Sequence, residues 1–261
     1  MKGIDVSKHN GVIDWNKVKE SGIEFAIIRA GYGKNNVDKQ FIHNICCAHS
    51  AGLKISVYWF LYALNEEDAI ANAEKCDRTI SLYKDIIDMV FADWEYDSDE
   101  YSSEQGVTQS KTSRTSIVRA FLERMQAKGY SVGNYANPDY INRKFGDLSE
   151  YPLWLAWYKE NADVSPYNPL IWQYSSTGSV TGIKGNVDLN IGYSDFTVPV
   201  IEYYPVPEFT LIDHLNKIGV DSSLESRKKI ARVNGIINYT GTKEQNLILL
   251  EQLKAGKLIK A

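Results

Sequence analysis

An acidic pair closes one apolar run of the chain. In residues 89–95, Met-Val-Phe-Ala-Asp-Trp-Glu, strand alternation places Asp93 and Glu95 on one face. Their Cα atoms would lie roughly 6.6 Å apart, close enough for each charge to raise the pKa of the other carboxyl group. Such a pair can cleave a glycosidic bond, because one acid protonates the leaving oxygen while the other assists at the sugar carbon. An isolated Asp-x-Glu is also common as a solvated pair on a surface strand, so its surroundings decide.

Two more aspartates strengthen the catalytic interpretation. Asp5 ends the first apolar run and Asp188 ends the last, and the first and last strands of a closed barrel are neighbours. Four carboxyl groups would then converge on one rim. Each aspartate could instead serve a turn or a helix cap, and clustered acids also suit Mg²⁺ or Ca²⁺. Because no histidine or amide cluster accompanies the acids, we expect no metal ion and no cofactor, and an activity assay with EDTA tests this.

Aromatic residues supply the other part of a sugar site. The chain has 17 tyrosines and 6 tryptophans, several near the ends of predicted strands. Sugar rings pack their C–H faces on flat aromatic rings, while polar side chains hydrogen-bond the hydroxyl groups. Any single one of these aromatic residues is equally well explained as part of the core. The substrate-binding candidates are Tyr58, Tyr62, Tyr135, Trp154 and Gln173, with Tyr158 and Tyr174 near other strand ends.

The elements that must position these residues alternate along the chain. Short β-rich runs are separated by helical patterns, which predicts an α/β fold, a modified and irregular β/α barrel. Alternation and β-branched or aromatic content mark the runs as strands. The eight runs are 3–6, 25–30, 55–61, 89–95, 131–135, 153–158, 170–174 and 186–189.

The connections between the runs become shorter toward the end of the predicted barrel. After residue 136 there is room for one brief helix, near 138–144, which is why the barrel should be irregular. The long, polar, serine-rich stretch 97–111 either forms one wall of the groove or is a mobile surface loop. The helical patterns lie at 14–20, 38–51, 66–82 and 113–128.

A proline-rich segment divides the chain. Residues 197–207 hold three prolines in eleven positions and read as a semi-rigid linker. Ser222 with Glu225 and Thr242 with Gln245 have capping-box spacing, so a small all-α domain of three helices should follow. We therefore predict a catalytic barrel at 1–196, the linker at 197–207 and the helical module at 208–261. The three helices are predicted at 209–218, 222–234 and 242–254.

Charge separates the two predicted domains. The net charge of −4 divides into −7 for residues 1–205 and +3 for residues 206–261. An acidic body argues against a nucleic-acid partner, whereas a basic tail suits an anionic polymer such as one of the cell wall. A solvated helix surface would explain the basic tail equally well.

Targeting signals are absent from the first residues of the sequence. No signal-peptide pattern is visible there, and no segment approaches the roughly 18 apolar residues needed to cross a bilayer. We therefore expect synthesis in the cytoplasm without a signal peptide, and no membrane insertion. Cys46, Cys47 and Cys76 match no zinc spacing and should be reduced, although one bridge plus a free thiol is an alternative.

These motifs together resemble glycoside hydrolase family 25 lysozymes, the type often found in phage endolysins. The resemblance covers about residues 1–196 and implies a modified β/α barrel that cleaves the β-1,4 bond between N-acetylmuramic acid and N-acetylglucosamine with retention. It implies that Glu95 is the general acid/base. The matching segments are Gly3-Ile-Asp-Val-Ser, His9-Asn, Asp14-Trp, Phe25-Ala-Ile-Ile-Arg-Ala-Gly-Tyr, Val57-Tyr-Trp-Phe, Asp93-Trp-Glu, Leu153-Trp-Leu-Ala, Ile171-Trp-Gln-Tyr-Ser and Val187-Asp-Leu-Asn.

The resemblance also assigns roles to the remaining acids. Asp93 would either attack the sugar or orient the 2-acetamido group of the substrate as the nucleophile. Asp5 and Asp188 would position the sugar and tune the central acids. A non-catalytic wall-binding lectin and a chitinase-like barrel hydrolase are the alternative functions.

The C-terminal segment is similar to short modules that close some clostridial phage endolysins. This similarity implies wall targeting, in which tethering raises the local concentration of the enzyme at peptidoglycan. Arg227, Lys228 and Lys229 are the candidate contacts, and homo-oligomerisation through the tail is an alternative role. The complete hypothesis is an endolysin that accumulates in the host cytoplasm, is released by a holin and lyses the host cell.

Overall fold

Nine strands form one sheet in the part of the chain that the structure describes. The structure is a computed structural model that describes residues 1–159, 162–193, 211–254 and 257–261. The strands are β1 (Lys2–Val6), β2 (Phe25–Tyr32), β3 (Asn36–Val37), β4 (Lys54–Phe60), β5 (Val90–Asp93), β6 (Val132–Ala136), β7 (Leu153–Ala156), β8 (Ile171–Gly178) and β9 (Val187–Gly192). Eight of them close into a barrel, because β1 pairs with both β2 and β9, and β3 only extends β2. The predicted irregular barrel is confirmed.

One strand of the ring runs opposite to all the others. The strands from β1 to β8 that form the barrel run parallel, whereas β9 runs antiparallel to both of its neighbours, β1 and β8. Asp188 was predicted at the end of the last strand, but it is the second residue of β9, which continues to Gly192. Because β9 is reversed, its start lies at the rim where β1 ends, and Asp5 pairs directly with Asp188 in the register.

Alternation along the strands separates two apolar layers. Inward-facing aromatic side chains fill the barrel, among them Phe91 and Trp154, while outward-facing residues such as Ile28 and Val57 pack under the helices. Full burial of one such side chain stabilises the fold by about 1.5–3 kcal/mol. Gly133 leaves the space that the Phe91 ring occupies, since a Cβ there would lie 2.5 Å from that ring.

Five helices accompany the barrel strands in the described residues. Asp14, Asn65 and Ser110 cap three of them by accepting a hydrogen bond from a backbone N–H of the first turn. Between β6 and β9 the described residues form one short helical turn at Tyr140–Lys144, as predicted near 138–144, and a second at Ser165–Tyr167 that was not predicted. No helix among the described residues is long and apolar enough to span a membrane. The helices are α1 (Trp15–Glu20), α2 (Phe41–Ser50), α3 (Glu66–Ile80), α4 (Tyr96–Glu104) and α5 (Lys111–Ala127).

Helix α4 overturns the alternative of a surface loop at 97–111. Its buried face is polar: Ser102 is fully buried and donates to the carbonyl of Ala63 at 3.2 Å. Asp99 accepts hydrogen bonds from Arg114 at 2.8 Å and from Tyr140 at 2.7 Å. The helix is therefore held by hydrogen bonds and an ion pair instead of an apolar stripe, so its sequence lacks the hydrophobic period of a helix.

The C-terminal residues form three further helices, α6 (Leu211–Lys217), α7 (Leu224–Val233) and α8 (Lys243–Lys254). They share a small apolar cluster that includes Leu215, Ile230 and Leu249. The predicted cap of α8 is confirmed, because Thr242 and Gln245 exchange hydrogen bonds of 3.3 Å. The predicted cap of α7 is off by one residue, since Ser223 and not Ser222 accepts from the first turn. The predicted linker at 197–207 lies outside the described residues.

One arginine joins the helical module to the barrel. Arg232 Nε of α7 donates a hydrogen bond to the hydroxyl of Tyr83 at 3.0 Å. The backbone carbonyl of Arg232 accepts a hydrogen bond from the thiol of Cys46 on α2. Burial raises the pKa of Cys46 to about 11. Cys46, Cys47 and Cys76 are all free thiols, as the sequence predicts.

Candidate active site

Four carboxyl groups meet at the rim where the parallel strands end. Asp5 lies on β1, Asp93 is the last residue of β5, Glu95 precedes the first turn of α4, and Asp188 lies at the start of β9. Asp93 and Glu95 share a hydrogen bond, as do Asp5 and Asp188, and the charge of Asp5 also acts on Asp93. The structure thus brings together the four acids that the sequence singled out.

The pair of Asp93 and Glu95 differs in exposure. Asp93 is only 4% exposed, whereas Glu95 is half-buried and open to the cleft. Burial raises the pKa of Asp93 well above its ordinary value, and the charges of Glu95 and Asp5 add to that shift. Burial also raises the pKa of Glu95, against the opposing hydrogen bonds from Asp93 and Tyr135. The two carboxyl groups can share a hydrogen bond only when one of them is protonated, and the raised pKa values of both favour that form.

Asp5 is held by two amide side chains. Gln173 Nε2 and Asn190 Nδ2 donate to Asp5 Oδ2 at 2.8 Å and 2.7 Å. Burial raises the pKa of Asp5 well above its ordinary value and the charge of Asp188 raises it further, while the two amides oppose the shift. The amides therefore fix the orientation of a carboxyl group that its surroundings would otherwise protonate.

A second layer of hydrogen bonds orients the two amides. The hydroxyls of Tyr135 and Tyr158 donate to Gln173 Oε1 at 2.9 Å and 2.6 Å, which leaves Nε2 to donate to Asp5. Trp154 Nε1 donates to Asn190 Oδ1 at 2.8 Å in the same manner. The aromatic floor of the barrel therefore determines where the Asp5 carboxyl group points.

The five predicted substrate-binding residues occupy two levels of the site. Tyr58, Tyr135, Trp154 and Gln173 are buried beneath the acids, and the rings of Tyr135 and Trp154 lie 4.5 Å apart. Tyr62 is half-buried at the rim, with its ring 5.0 Å from that of Phe60 and 5.0 Å from that of Tyr101. Of the five, Tyr62 has the position of a groove wall, while the buried four support the acids from below.

Two exposed tyrosines flank the acids. The Tyr96 hydroxyl donates to Asp139 at 2.9 Å, and Lys144 Nζ lies 4.5 Å from the centre of the Tyr96 ring. The Tyr158 hydroxyl is held by Gln173, yet 54% of that residue is exposed. Each ring is thus fixed at its hydroxyl end and about half exposed, although Lys144 covers one face of Tyr96, and the exposed part suits stacking against a sugar.

Sequence reasoning missed two residues of this site. Tyr96 follows Glu95 directly, and this adjacency was the available signal. Asn190 lies two positions after Asp188 on β9, so strand alternation places both on the inner face. In the described part of the chain, His, Cys, Asp and Glu side chains form no group of three or more suited to a metal ion.

The arrangement can perform acid-assisted hydrolysis. An accessible carboxyl group with a raised pKa lies beside a buried one, at the end of a barrel where catalytic residues commonly sit. The exposed tyrosines offer faces for two sugar rings on either side. These features suit cleavage of a glycosidic bond.

Comparison with known proteins agrees with this chemistry. The family model described as "Glycosyl hydrolases family 25" matches residues 4–183, which include Asp5, Asp93 and Glu95 but end before Asp188. The autolytic lysozyme of Clostridium acetobutylicum is 34% identical over 194 residues, which are 73% of this chain. The match spans 55% of the length of that relative, so this chain corresponds to about half of it.

The chain is also similar to a solved bacterial lysozyme and, over a short segment, to a phage protein. The crystal structure of a bacterial lysozyme from Streptomyces coelicolor superimposes with a TM-score of 0.65 at 27% identity, covering 75% of this chain and 93% of that one. A protein of Listeria phage A118 named L-alanyl-D-glutamate peptidase is 53% identical over 47 residues, which are 18% of this chain and 17% of the phage protein.

Proposed function

The chain belongs to glycosyl hydrolase family 25, and from that membership we propose that it is a muramidase. Its substrate is bacterial peptidoglycan, and the bond cleaved is the β-1,4 bond between N-acetylmuramic acid and N-acetylglucosamine. The hydrogen-bonded pair of Asp93 and Glu95 at the barrel rim carries the proposal. Similarity to proteins named as lysozymes supports the choice of substrate.

Glu95 is the general acid in this proposal. It is the more accessible member of the pair, and burial raises its pKa, which favours the protonated form that a general acid needs. Asp93 stands behind it and passes the shared proton within the pair. After the leaving group departs, Glu95 becomes the base that activates water.

The close contact of the two acids supports retention of configuration. An inverting enzyme holds its carboxyl groups about 6.5–9.5 Å apart so that a water fits between them. A direct hydrogen bond between Asp93 and Glu95 leaves no such space. Asp93 is only 4% exposed, which disfavours its direct attack on a sugar carbon and favours the sugar's own acetamido oxygen as the nucleophile.

Asp5 and Asp188 complete the site as positioning residues. The charge of Asp5 raises the pKa of Asp93, and the charge of Asp188 raises the pKa of Glu95. Tyr96 and Tyr158 supply the stacking faces for sugar rings, and Tyr62 adds a wall. Tyr58, Tyr135, Trp154 and Gln173 act from below, through the orientation of Asp5.

The C-terminal module is proposed to bind the cell wall through an anionic polymer. A segment of similar length, 47 residues, is shared with a phage enzyme named for a different bond, which suits a transferable binding module. Lys228 and Lys229 are exposed on α7 and are the proposed contacts. Arg227 has a different role, because it bonds to the Ser222 carbonyl and to Tyr239 inside the module.

We place the enzyme in a phage setting. The shared segment comes from a phage protein, and the wall-directed chemistry fits an endolysin that lyses its host after holin release. A clostridial host agrees with the similarity to the Clostridium acetobutylicum lysozyme.

Digestion of purified peptidoglycan tests the proposal. Wild-type protein and Glu95→Gln are compared, with Glu100→Gln, an exposed residue of α4, as the control for the same chemical change. We expect fragments ending in reducing N-acetylmuramic acid from wild type and Glu100→Gln only. Fragments ending in N-acetylglucosamine, or cut peptides, would contradict the assignment. Equal cleavage of chitin would favour the chitinase-like alternative.

A further inference from the structure

The charge of the rim changes sign on the side of β1 and β2. Lys8 lies two residues beyond the end of β1, next to Arg29 and Tyr32 of β2, and we call Lys8, Arg29, Tyr32 and Asp38 the basic flank. Arg29 Nε is paired with Asp38 Oδ2 at 2.7 Å, and the Arg29 side chain is 12% exposed. The charges of Arg29 and Asp38 therefore largely cancel, and Lys8 supplies the excess positive charge.

Lys8 is held in place at both ends. Its backbone N–H donates to Asp38 Oδ2 at 3.0 Å, and its Nζ lies 5.5 Å from the centre of the Tyr32 ring. The Arg29 guanidinium lies 5.6 Å from the same ring. Cation–π attraction of this kind fixes an ammonium group without neutralising its charge.

Lys8 has no carboxylate partner among the described residues. The neighbouring cations do: Arg29 pairs with Asp38, and Lys34 pairs with Asp68 at 2.5 Å. The field of the flank is also felt by His9, whose pKa is lowered first by burial and then by the charges of Arg29 and Lys8. A fixed, unpaired ammonium group beside a sugar cleft is suited to bind an anion of the substrate.

The four acids at the centre of the site do not bind such an anion. Asp5, Asp93, Glu95 and Asp188 offer no positive charge at the centre, and whichever of them are ionised repel a carboxylate of the substrate. Arg29 links the two regions, since its charge acts on both Asp93 and Tyr58. An anionic substituent on a bound glycan strand is therefore directed from the acids toward the basic flank.

We propose that Lys8 binds a carboxylate of the peptide carried by N-acetylmuramic acid, so that the enzyme favours peptide-bearing glycan over bare glycan. This inference rests on the proposed muramidase function. An exposed ion pair of this kind changes affinity by about two- to fivefold, and salt screens it. The effect should appear in KM, because the peptide lies away from the bond that is cleaved.

The test compares two substrates and four proteins. The substrates are soluble glycan strands that carry their peptides and the same strands after an amidase has removed them. The proteins are wild type, Lys8→Gln, Lys8→Arg as the charge-keeping variant, and Lys2→Gln as the matched control at the opposite end of β1. Reducing ends are counted at about 20 mM and about 500 mM salt, and melting curves confirm that every variant folds.

We expect Lys8→Gln to raise KM about two- to fivefold on peptide-bearing strands at low salt and to leave KM on bare strands unchanged. Lys8→Arg should stay near wild type, and high salt should remove the difference. An equal loss on both substrates, or no loss relative to Lys2→Gln, would overturn the inference while leaving the muramidase assignment intact. If wild type releases no reducing ends from either substrate, the proposed function fails first and this inference fails with it.

Discussion

Replacing Glu95 by glutamine should remove turnover and at the same time stabilise the folded protein at neutral pH. Glutamine keeps the size of the side chain and its ability to accept a hydrogen bond, but it cannot protonate a leaving oxygen. General acid catalysis contributes about 10²–10⁴ in rate, so kcat should fall at least about a hundredfold. This loss corresponds to about 3 kcal/mol of transition-state stabilisation.

The gain in stability follows from the direction of the pKa shifts. Burial raises the pKa of Glu95 and of Asp93, so the folded protein binds more protons than the unfolded chain above the ordinary pKa of about 4.3. The free energy of unfolding of the wild type therefore falls as the pH rises from that value through the raised pKa. Glutamine at position 95 does not ionise, so the variant does not lose free energy of unfolding there as the pH rises. The substitution also lowers the pKa of Asp93, because the charge of Glu95 is one cause of the raised pKa of Asp93.

The expected size is that of a single stabilising charge substitution, about 0.5–2 kcal/mol. For a barrel of this length, this corresponds to an increase in Tm of about 1–8 °C. The difference between variant and wild type should be largest at about pH 7–8 and should vanish near about pH 4, where Glu95 is protonated in both states.

Thermal unfolding followed by circular dichroism, at several pH values, measures this difference. Glu100→Gln is the control, since Glu100 is exposed on α4 and its substitution should change stability by less than about 0.5 kcal/mol. A variant at position 95 that is less stable than wild type at pH 7, by an amount that does not depend on pH, would refute the reasoning. The hydrogen bond between Asp93 and Glu95 would then outweigh the cost of burying the charge.

Three further predictions concern other parts of the molecule. Gln173→Leu removes a donor from Asp5 and should lower kcat about 10- to 100-fold, with a change in the pH profile that a merely structural defect would not produce. Arg114→Met leaves the Asp99 carboxyl group without its closest cation and should cost about 3 kcal/mol, or about 6–12 °C in Tm, measured by calorimetry. Deletion of residues 208–261 should leave an active barrel that sediments less with purified cell walls, whereas precipitation of the shortened protein would assign the module a structural role.

The barrel was predictable because its strands have a strong pattern. All eight runs overlap strands of the ring, since β-branched and aromatic residues at alternate positions mark both faces of a buried strand. The bounds differ, because β5 ends at Asp93, before Glu95, and β9 continues beyond residue 189. Strand β3 was missed because Asn36 and Val37 are exposed and carry no such pattern. Helix α4 was missed for the related reason that Ser98 and Ser102, not apolar residues, face the interior.

The acids were also predictable, but their supports were not. Spacing singled out Asp93 and Glu95 only together with their surroundings, and strand ends identified Asp5 and Asp188. The buried location of Tyr58, Tyr135 and Trp154 could not be read from type and spacing, because tyrosine and tryptophan serve cores and sugar sites alike. Only the register of β8 and β9 against β1 shows that Gln173 and Asn190 reach Asp5.

The reversal of β9 connects the closure of the barrel to the assembly of the site. Asp5 and Asp188 are opposite each other across the seam where β1 meets β9, so closing the ring brings two acids into contact. The repulsion between their charges, which raises the pKa of Asp5, opposes closure of the ring. The side-chain amides of Gln173 and Asn190 offset this repulsion by donating hydrogen bonds to Asp5. A chain that cannot make these two hydrogen bonds would lose both a carboxyl orientation and part of the energy that holds the seam. Gln173 and Asn190 are therefore needed for the fold of the seam as well as for the orientation of Asp5. This double role explains why both residues are buried beneath the acids instead of lying within reach of the substrate.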